Sequence, residues 1–574
     1  MKRLHLVLLL AAVALVQFLV QRAVHVSTPH PGGDNAAYVA LGHAMATGQG
    51  YVETWDPALI PHTKYPPAWP AVLALAEWSG ARTWVDFKRL PFALSWLGVV
   101  LIWTFVARRR GAIWASAVAL GSGLSYAWLT SSSWLFSEPL FVALCAAFWW
   151  TGEHMRSPDS DGRAARWVGA AAVMAVLAIL TRSAGLPLAV ALVAATLLNR
   201  SWRQAALASL IVGVPSLLWF LRGQGVEQEG AYAREFWMVN PYRPELGEIG
   251  IAGLVVRALD NASLYLTEWL PRSFGGDDVG VTGALVLLLA LLALLGWGRA
   301  MKHRAGLAEW FAPSYAGLIL LWPSIWGGER FALPLIPLIL LWAGEGLEYL
   351  VLRAAASRIP DVSARRRFAS VAVAAASISL LVPLGQGMSA AARQASDCRR
   401  AAEIAGPWAC GGPPMVEFTE AAMWSGANLP ADAVVLTRKP RIWHAMSGLS
   451  SRTYPFVANG DTLLLAADRA GARYVVLDLV ASQADLLAQA IGLRLGAFCS
   501  IAAFGRADGG LRTELLGVLP PEQRDLSRRA DQDDAVVRAC PDTFVAVPGQ
   551  GTALSAIPLP YEATSPIPLL TLRP

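Results

Sequence analysis

The sequence predicts a polytopic α-helical membrane protein of about eleven transmembrane helices, with a C-terminal α/β domain on the outer side. Three observations predict it. Hydrophobic residues fill 55% of the 574 positions and charged residues only 15%, against about 25% charged in an ordinary soluble domain. Apolar runs such as LVLLLAAVALVQFLV, VTGALVLLLALLALLGW and FALPLIPLILLW approach the roughly 20 residues that cross about 30 Å of hydrocarbon. Lys and Arg are also unequally shared between alternate loops, as membrane orientation requires.

Spans are expected near residues 4–24, 90–107, 112–131, 134–152, 167–182, 186–199, 204–222, 280–298, 306–326, 331–352 and 369–387. The first follows Met1-Lys2-Arg3. Its apolar stretch exceeds the about 7–15 residues of a signal peptide, and no small-x-small cleavage site follows closely, so it reads as an uncleaved helix. With the N-terminus inside, short cytoplasmic segments hold Lys2, Arg3, Arg108 to Arg110, Arg156, Arg163, Arg166, Arg200, Arg203, Arg299, Lys302, Arg304, Arg353, Arg358 and Arg365 to Arg367, 18 basic residues in all. The other 12 basic residues before position 388 spread over long loops or stand near span ends. The expectation is therefore a multi-pass protein of the cytoplasmic (inner) membrane, with a cytoplasmic N-terminus and a periplasmic or extracellular C-terminal domain.

Residues 1–388 form the expected transmembrane domain, with a first outer loop at 25–89 and a second at 223–279. Residues 389–574 form the outer domain, which carries 17 Lys or Arg against 18 Asp or Glu. The net charge of +6 thus belongs to topology, and no basic stripe interleaved with aromatics points to nucleic acid. Helix-like stretches (EFTEAAMWSGANL, SQADLLAQAIG) alternate there with β-branched runs at Ala433 to Thr437 and Tyr474 to Asp478, the pattern of a small α/β unit. From about Pro541 the chain is rich in Pro, Gly, Ser and Thr without period, which predicts irregular structure. Four of five cysteines (Cys398, Cys410, Cys499, Cys540) fall in this domain, and Cys145 lies in a span. Four cysteines allow three pairings, with unpaired buried thiols as the alternative. Cys398 with Cys410 is preferred because a short, glycine-flanked segment separates them.

The candidate chemistry clusters on the outer side. Asp34 follows Gly32-Gly33 and precedes a helix-like run, so its carboxylate either caps that helix or stands exposed above the membrane as a general base. Lys64, in Lys64-Tyr65-Pro66-Pro67, is held by stiff chain where a lipid phosphate sits; snorkelling is its plainer explanation. Arg330, in Glu329-Arg330 between two spans, suits bidentate phosphate binding or a pair with Glu329. Ser137 and Glu138 open the fourth span, as cap and first-turn acid or as a functional carboxylate at the boundary. Arg182 marks the outer junction of spans five and six. His25, His30, His43 and His62, with Glu53 and Asp56 nearby, admit a divalent metal, but their spacings match no ligand pattern and scattered surface histidines explain them better. P-loop, dinucleotide and G-x-S-x-G motifs are absent.

Taken in order, Asp34, G-x-G-Y at 48–51, K-Y-P-P-x-x-P at 64–70, S-E-P-L-F at 137–141, T-R-S-A-G at 181–185 and E-R-F-A-L-P-L-I-P at 329–337 resemble the GT-C superfamily of membrane glycosyltransferases. That superfamily includes the protein O-mannosyltransferases and the lipid A aminoarabinose transferase. The resemblance spans residues 1 to about 350 and implies a GT-C-like enzyme. It would pass a sugar from a polyprenyl-phosphate-linked donor to a glycan, lipid or protein acceptor by inverting single displacement. It implies Asp34 and Glu138 as catalytic acids, with Lys64, Arg330 and Arg182 on the donor phosphate and Tyr38 and Tyr65 in the substrate cavity. No cofactor is firmly implied. Protein mannosyltransferases place two acids together in the first loop, whereas Asn35 follows Asp34 here, which weighs against a protein hydroxyl as acceptor. The competing expectations are a lipid-linked-glycan flippase, with essential charges on both sides and in mid-membrane, and a non-catalytic cell-envelope scaffold.

Overall fold

The computed structural model describes residues 2–155, 164–198, 201–224, 226, 232–277, 280–480, 483–505, 513–531 and 537–545. Arg156, Arg163, Arg200 and the expected irregular tail from residue 546 lie outside the described residues. Helices stand where the apolar runs do: Lys2–Val24, Trp84–Arg110, Ala112–Gly123, Glu138–Met155, Ala164–Thr181, Leu186–Leu198, Trp202–Arg222, Gly280–Arg304, Leu307–Leu321 and Ile336–Ala355, then Val362–Ile378 and Leu381–Ala405.

Length and hydropathy single out fewer of them. Among the described residues five stretches are long and apolar enough to cross a membrane: Leu4–Val24, Trp84–Arg110, Trp202–Arg222, Thr282–Arg304 and Val362–Ala405. Several expected spans are shorter than the apolar run that announced them, and the reasons are local. The run at 112–131 breaks at Ser125, whose backbone is extended, between Ala112–Gly123 and Tyr126–Ser131. Trp322 is extended before Pro323, as the residue before proline prefers, so the ninth helix ends at Leu321. The tenth begins only at Ile336, with Pro337 in its first turn, where a missing N–H costs nothing.

A chain of rings packs the bundle: Phe105 to Trp149 at 5.8 Å, Trp149 to Phe311 at 5.5 Å, and Phe311 to Tyr315 at 5.1 Å. Gly280–Arg304 and Ile336–Ala355 approach through glycines. A Cβ on Gly296 would lie 2.0 Å from the Trp342 carbonyl oxygen, and one on Gly346 2.2 Å from that of Leu292, the small-residue contact of membrane helices. Outward faces carry exposed Leu210, Leu217, Leu218, Leu287, Leu291 and Leu294. At the end of the bundle expected to face the cytoplasm, Arg109 meets Glu309 at 2.6 Å, Glu345 at 3.4 Å and Glu153 at 3.7 Å. Arg304 also pairs with Glu345, and Arg110 with Glu348.

The helix Leu381–Ala405 runs across the boundary expected at 388 and leads to a five-stranded sheet. Its strands are β1 (Val434–Leu436), β2 (Ser450–Arg452), β3 (Tyr474–Leu477), β4 (Phe498–Phe504) and β5 (Thr513–Val518), in the order β2-β1-β3-β5-β4. β1 pairs parallel with β2 and β3, while β5 pairs antiparallel with β3 and β4. One face packs on Met415, Phe418 and Trp443 and the other on Leu463, Leu487 and Ile491. Disulfides join Cys398 to Cys410, the preferred pair, and Cys499 to Cys540; Cys145 is free and buried.

This sheet unit sits on the first outer loop. Arg452 grips Asp56 through two bonds of 2.7 Å, the Ser451 amide donates to the Trp55 carbonyl at 2.7 Å, and Lys439 Nζ donates to the Pro31 carbonyl at 3.1 Å. The Arg452 and Lys439 contacts leave from the carboxyl ends of the parallel strands β2 and β1, the usual place for functional groups in α/β sheets.

The glycine contact gives a direct expectation. Gly296→Ala or Gly346→Ala should lower stability by about 1–3 kcal/mol, as overpacking does, read as a lower unfolding temperature in detergent. Ala at Gly283, where a Cβ meets nothing, should be neutral.

Candidate active site

The helix Gly33–Ala46 begins after Gly32, whose extended backbone makes no side-chain cap. Asp34 therefore sits in the first turn, favoured there by the helix dipole, but its carboxylate does not cap the helix. The carboxylate turns instead to side chains from three other segments. Tyr65 Oη donates to Asp34 Oδ1 at 2.8 Å, Arg330 Nη1 lies 3.8 Å from Oδ2, and Arg441 Nη1 lies 3.9 Å from Oδ1. Burial alone raises the proton affinity of Asp34, and Arg330, Arg441, the Tyr65 hydrogen bond and Lys64 outweigh it, so the carboxyl is held below its usual range. Yet 36% of its side chain stays open. It is ionised and reachable, as a general base must be.

The segment carrying Lys64 and Tyr65 is fixed from several sides. Tyr51 Oη donates to the Tyr65 carbonyl at 2.8 Å, the Tyr65 amide donates to His62 Nε2 at 2.9 Å, and Arg222 donates to the carbonyls of His62 and Tyr51. Lys64 Nζ reaches Glu235 at 2.8 and 3.0 Å and lies over the rings of Tyr232 and Trp326 at 5.2 and 5.0 Å. Burial lowers the proton affinity of Lys64 and raises that of Glu235, each opposed by the other. The ammonium is therefore a desolvated charge whose anionic partner comes from the second outer loop.

Gly328, at φ 130°, makes the turn that presents Glu329–Ala332; a side chain would be strained there. Arg330 faces Asp34 and comes within 3.7 Å of Glu138, while Arg182 meets Glu138 at 2.6 Å and donates to Ser137 Oγ at 3.0 Å. Tyr38 Oη and Ser137 Oγ stand 3.4 Å apart. The pair of Arg330 with Glu329 that the sequence allows is replaced by these contacts across the bundle.

These groups surround one cavity of about 260 Å³. Of the expected site residues, Asp34, Tyr38, Lys64, Tyr65, Arg182 and Arg330 line it. Glu138 does not. It is 2% exposed and faces Arg182 at 2.6 Å and Arg330 at 3.7 Å; its geometry is that of an anchor for two guanidinium groups. Tyr232, Glu235, Tyr242, Trp326 and the apolar wall of Leu318, Ile319 and Phe331 also line the cavity and were missed in the sequence. So was Arg441, from the outer domain. The run Tyr232-Ala233-Arg234-Glu235-Phe236-Trp237 was a readable signal, a carboxylate among aromatics in an outer loop.

The cavity does not suit a divalent cation. Its carboxylates, Asp34 and Glu235, are already faced by Arg330, Arg441 and Lys64. Among the described residues no three His, Cys, Asp or Glu converge elsewhere as ligands. His43 and His62 hydrogen-bond to Glu77 and Glu53 at 2.9 and 2.7 Å.

No protein-family model matches this sequence, and no curated protein matches it. Solved structures do. The oligosaccharyltransferase AglB of Archaeoglobus fulgidus, tethered to an acceptor peptide, superposes with a TM-score of 0.51 over 88% of this chain and 74% of its own, at 14% identity. ArnT of Cupriavidus metallidurans, bound to undecaprenyl phosphate, superposes with a TM-score of 0.50 over 89% of this chain and 97% of its own, at 18% identity. The chain shares its fold with these two proteins. A further AglB structure, with an inhibitory peptide and a dolichol-phosphate, covers 88% of this chain and 75% of its own at 14% identity with a TM-score of 0.51. At such identities the likeness is one of fold.

Glu138 yields a prediction. Arg182→Ala should destabilise the protein by roughly 3–5 kcal/mol, because it strands a buried carboxylate. The double variant Arg182→Met with Glu138→Leu should regain most of that loss, with thermal unfolding in detergent as the measurement.

Proposed function

We propose that this chain moves a sugar from a polyprenyl-phosphate-linked donor to an acceptor on the outer face of the cytoplasmic membrane, by inverting single displacement. One observation carries the reading: an ionised, reachable carboxylate, Asp34, shares a cavity with Lys64, Arg182 and Arg330, and one wall of that cavity is apolar. A lipid phosphate needs both a cationic cradle and a hydrocarbon side. In the fold relatives, undecaprenyl phosphate bound to ArnT and dolichol-phosphate in complex with AglB are lipids of this chemistry.

In the proposed reaction the acceptor hydroxyl or amine attacks the anomeric carbon as Asp34 takes its proton. The carbon–oxygen bond to the phosphate breaks on the opposite face, and the polyprenyl phosphate leaves with the electron pair. Charge grows on the departing phosphate, so cations fixed beforehand lower the barrier. Arg330 and Arg182 supply two, both anchored on Glu138. Lys64 supplies the third once phosphate displaces Glu235 from it, and the aromatic box of Tyr232 and Trp326 keeps the ammonium in place. Tyr38 and Tyr65 line the sugar side.

The membrane arrangement belongs to the same proposal: about eleven crossings, residues 1–388 as the catalytic domain, and residues 389–574 outside the cell or in the periplasm. The two disulfides support an oxidising compartment for the sheet domain. The charged network at the inner end is closed on itself through Arg109, Glu309 and Glu345, whereas a flippase needs charges open to a headgroup on both sides.

Asp34→Asn should reduce transfer about 10²–10⁴-fold, the usual share of a general base, while folding stays intact because the residue does not cap its helix. Transfer from a panel of polyprenyl-phosphate hexoses and pentoses by the purified protein is the assay, and an Asn variant as fast as the parent would overturn the assignment. Arg330→Ala should weaken use of the donor, read as a higher KM for the lipid. For topology, membrane-impermeant thiol reagents added outside should label cysteines introduced in residues 413–530 and spare those placed near Arg365.

A further inference from the structure

The sheet domain brings a guanidinium up to Tyr65 and Asp34, two residues that line the cavity. Arg441 is the second residue of the helix Pro440–Ser447, which follows β1 directly. Its Nη1 donates to Tyr65 Oη at 2.7 Å, and Tyr65 Oη stands 2.8 Å from Asp34 Oδ1. The guanidinium also lies against the rings of Trp55 and Tyr65, at 5.3 and 5.2 Å.

The direction of this chain is fixed. A guanidinium can only donate, and a phenol has one proton, so Tyr65 accepts from Arg441 and must give its proton to Asp34 Oδ1. That occupies Oδ1 and leaves Oδ2, on the Arg330 side, as the oxygen free to take a proton from an acceptor. We propose that Arg441 is a positioning residue contributed by the outer domain, which aims the Tyr65 hydroxyl at Asp34, so that the cavity is competent only with that domain docked. This rests on the reading of Asp34 as general base.

Docking itself does not depend on Arg441. The Arg452–Asp56 pair, the Ser451–Trp55 backbone bond and the Lys439–Pro31 bond hold the same interface. An Arg441 variant should therefore remain docked yet lose the alignment, which separates positioning from structure.

The full-length protein in lipid nanodiscs supplies the test. Infrared spectroscopy follows the protonated carboxyl band of Asp34, identified by its loss in Asp34→Asn, as the pH is lowered from about 7 to about 2, a window that extends below the ordinary carboxylate range. The other titratable groups facing Asp34 are His30, Tyr38, Lys64, Tyr232, Arg330 and Lys439. They are common to parent and variant, so a difference reports Arg441. Arg441 lowers the proton affinity of Asp34, so in Arg441→Gln the band should emerge at higher pH than in the parent. The acid limb of transfer activity should move the same way, with kcat down at least about tenfold, as for one lost charged hydrogen bond, and donor KM little changed. Arg441→Lys, which keeps the charge without the fork, should restore the onset pH but only part of kcat. Unchanged band onset in Arg441→Gln would overturn the inference. If that onset moves while Asp34→Asn still transfers sugar at the parent rate, the reading of Asp34 as base fails instead.

Discussion

A carboxylate kept ionised among guanidinium groups at the edge of the hydrocarbon is the interaction on which the site depends. Buried charge is tolerable only when paired, and a carboxylate that is to stay ionised needs cations near it. Asp34 and the cations solve both problems together. Arg330 and Arg441 hold Asp34 ionised, and Asp34, Glu138 and Glu235 in turn neutralise the cations around them. The pairs differ in firmness. Arg182 is close to its acid at 2.6 Å, whereas Arg330 lies 3.8 Å from Asp34 and 3.7 Å from Glu138, which leaves it the most readily redirected of the guanidinium groups.

The two ends of the bundle handle charge differently. At one end Arg109, 1% exposed, is enclosed by Glu153, Glu309 and Glu345, a network that links four helices. At the other end the charges border about 260 Å³ of open space. The first arrangement locks helices whose apolar faces offer little specificity, since lipid is as apolar as leucine. The second borders a cavity, where Glu235 neutralises Lys64.

The outer domain belongs to this economy of charge rather than merely hanging beside it. Ala36, two residues after Asp34, packs into the core of the sheet domain with Trp443 and Phe418. The helix bearing the carboxylate is therefore pinned from both sides, by membrane helices below and the sheet unit above. Cys398–Cys410 ties the end of Leu381–Ala405 to the turn that leads into that unit, which limits how far the domain can swing.

The sequence by itself determined the class of the protein and much of the site. Apolar runs locate helices, because no other structure satisfies the backbone in hydrocarbon, and β-branched runs located β1 and β3. Sidedness brought Asp34, Lys64, Arg182 and Arg330 to one face before any distance was known. Tertiary structure alone decided what each charge does. Helix ends at Trp322, before Pro323, and at Ser125 were set by extended backbone, which hydropathy does not weigh. Asp34 lost its expected capping role to Tyr65 and Arg330 because side chains distant in sequence met it. Glu138 is buried against Arg182 and Arg330 and does not line the cavity, a placement that its sequence neighbours do not reveal. Arg441 lies 376 positions from Tyr65, and no local pattern ties the two; only the docking of one folded unit on another brings them within a hydrogen bond.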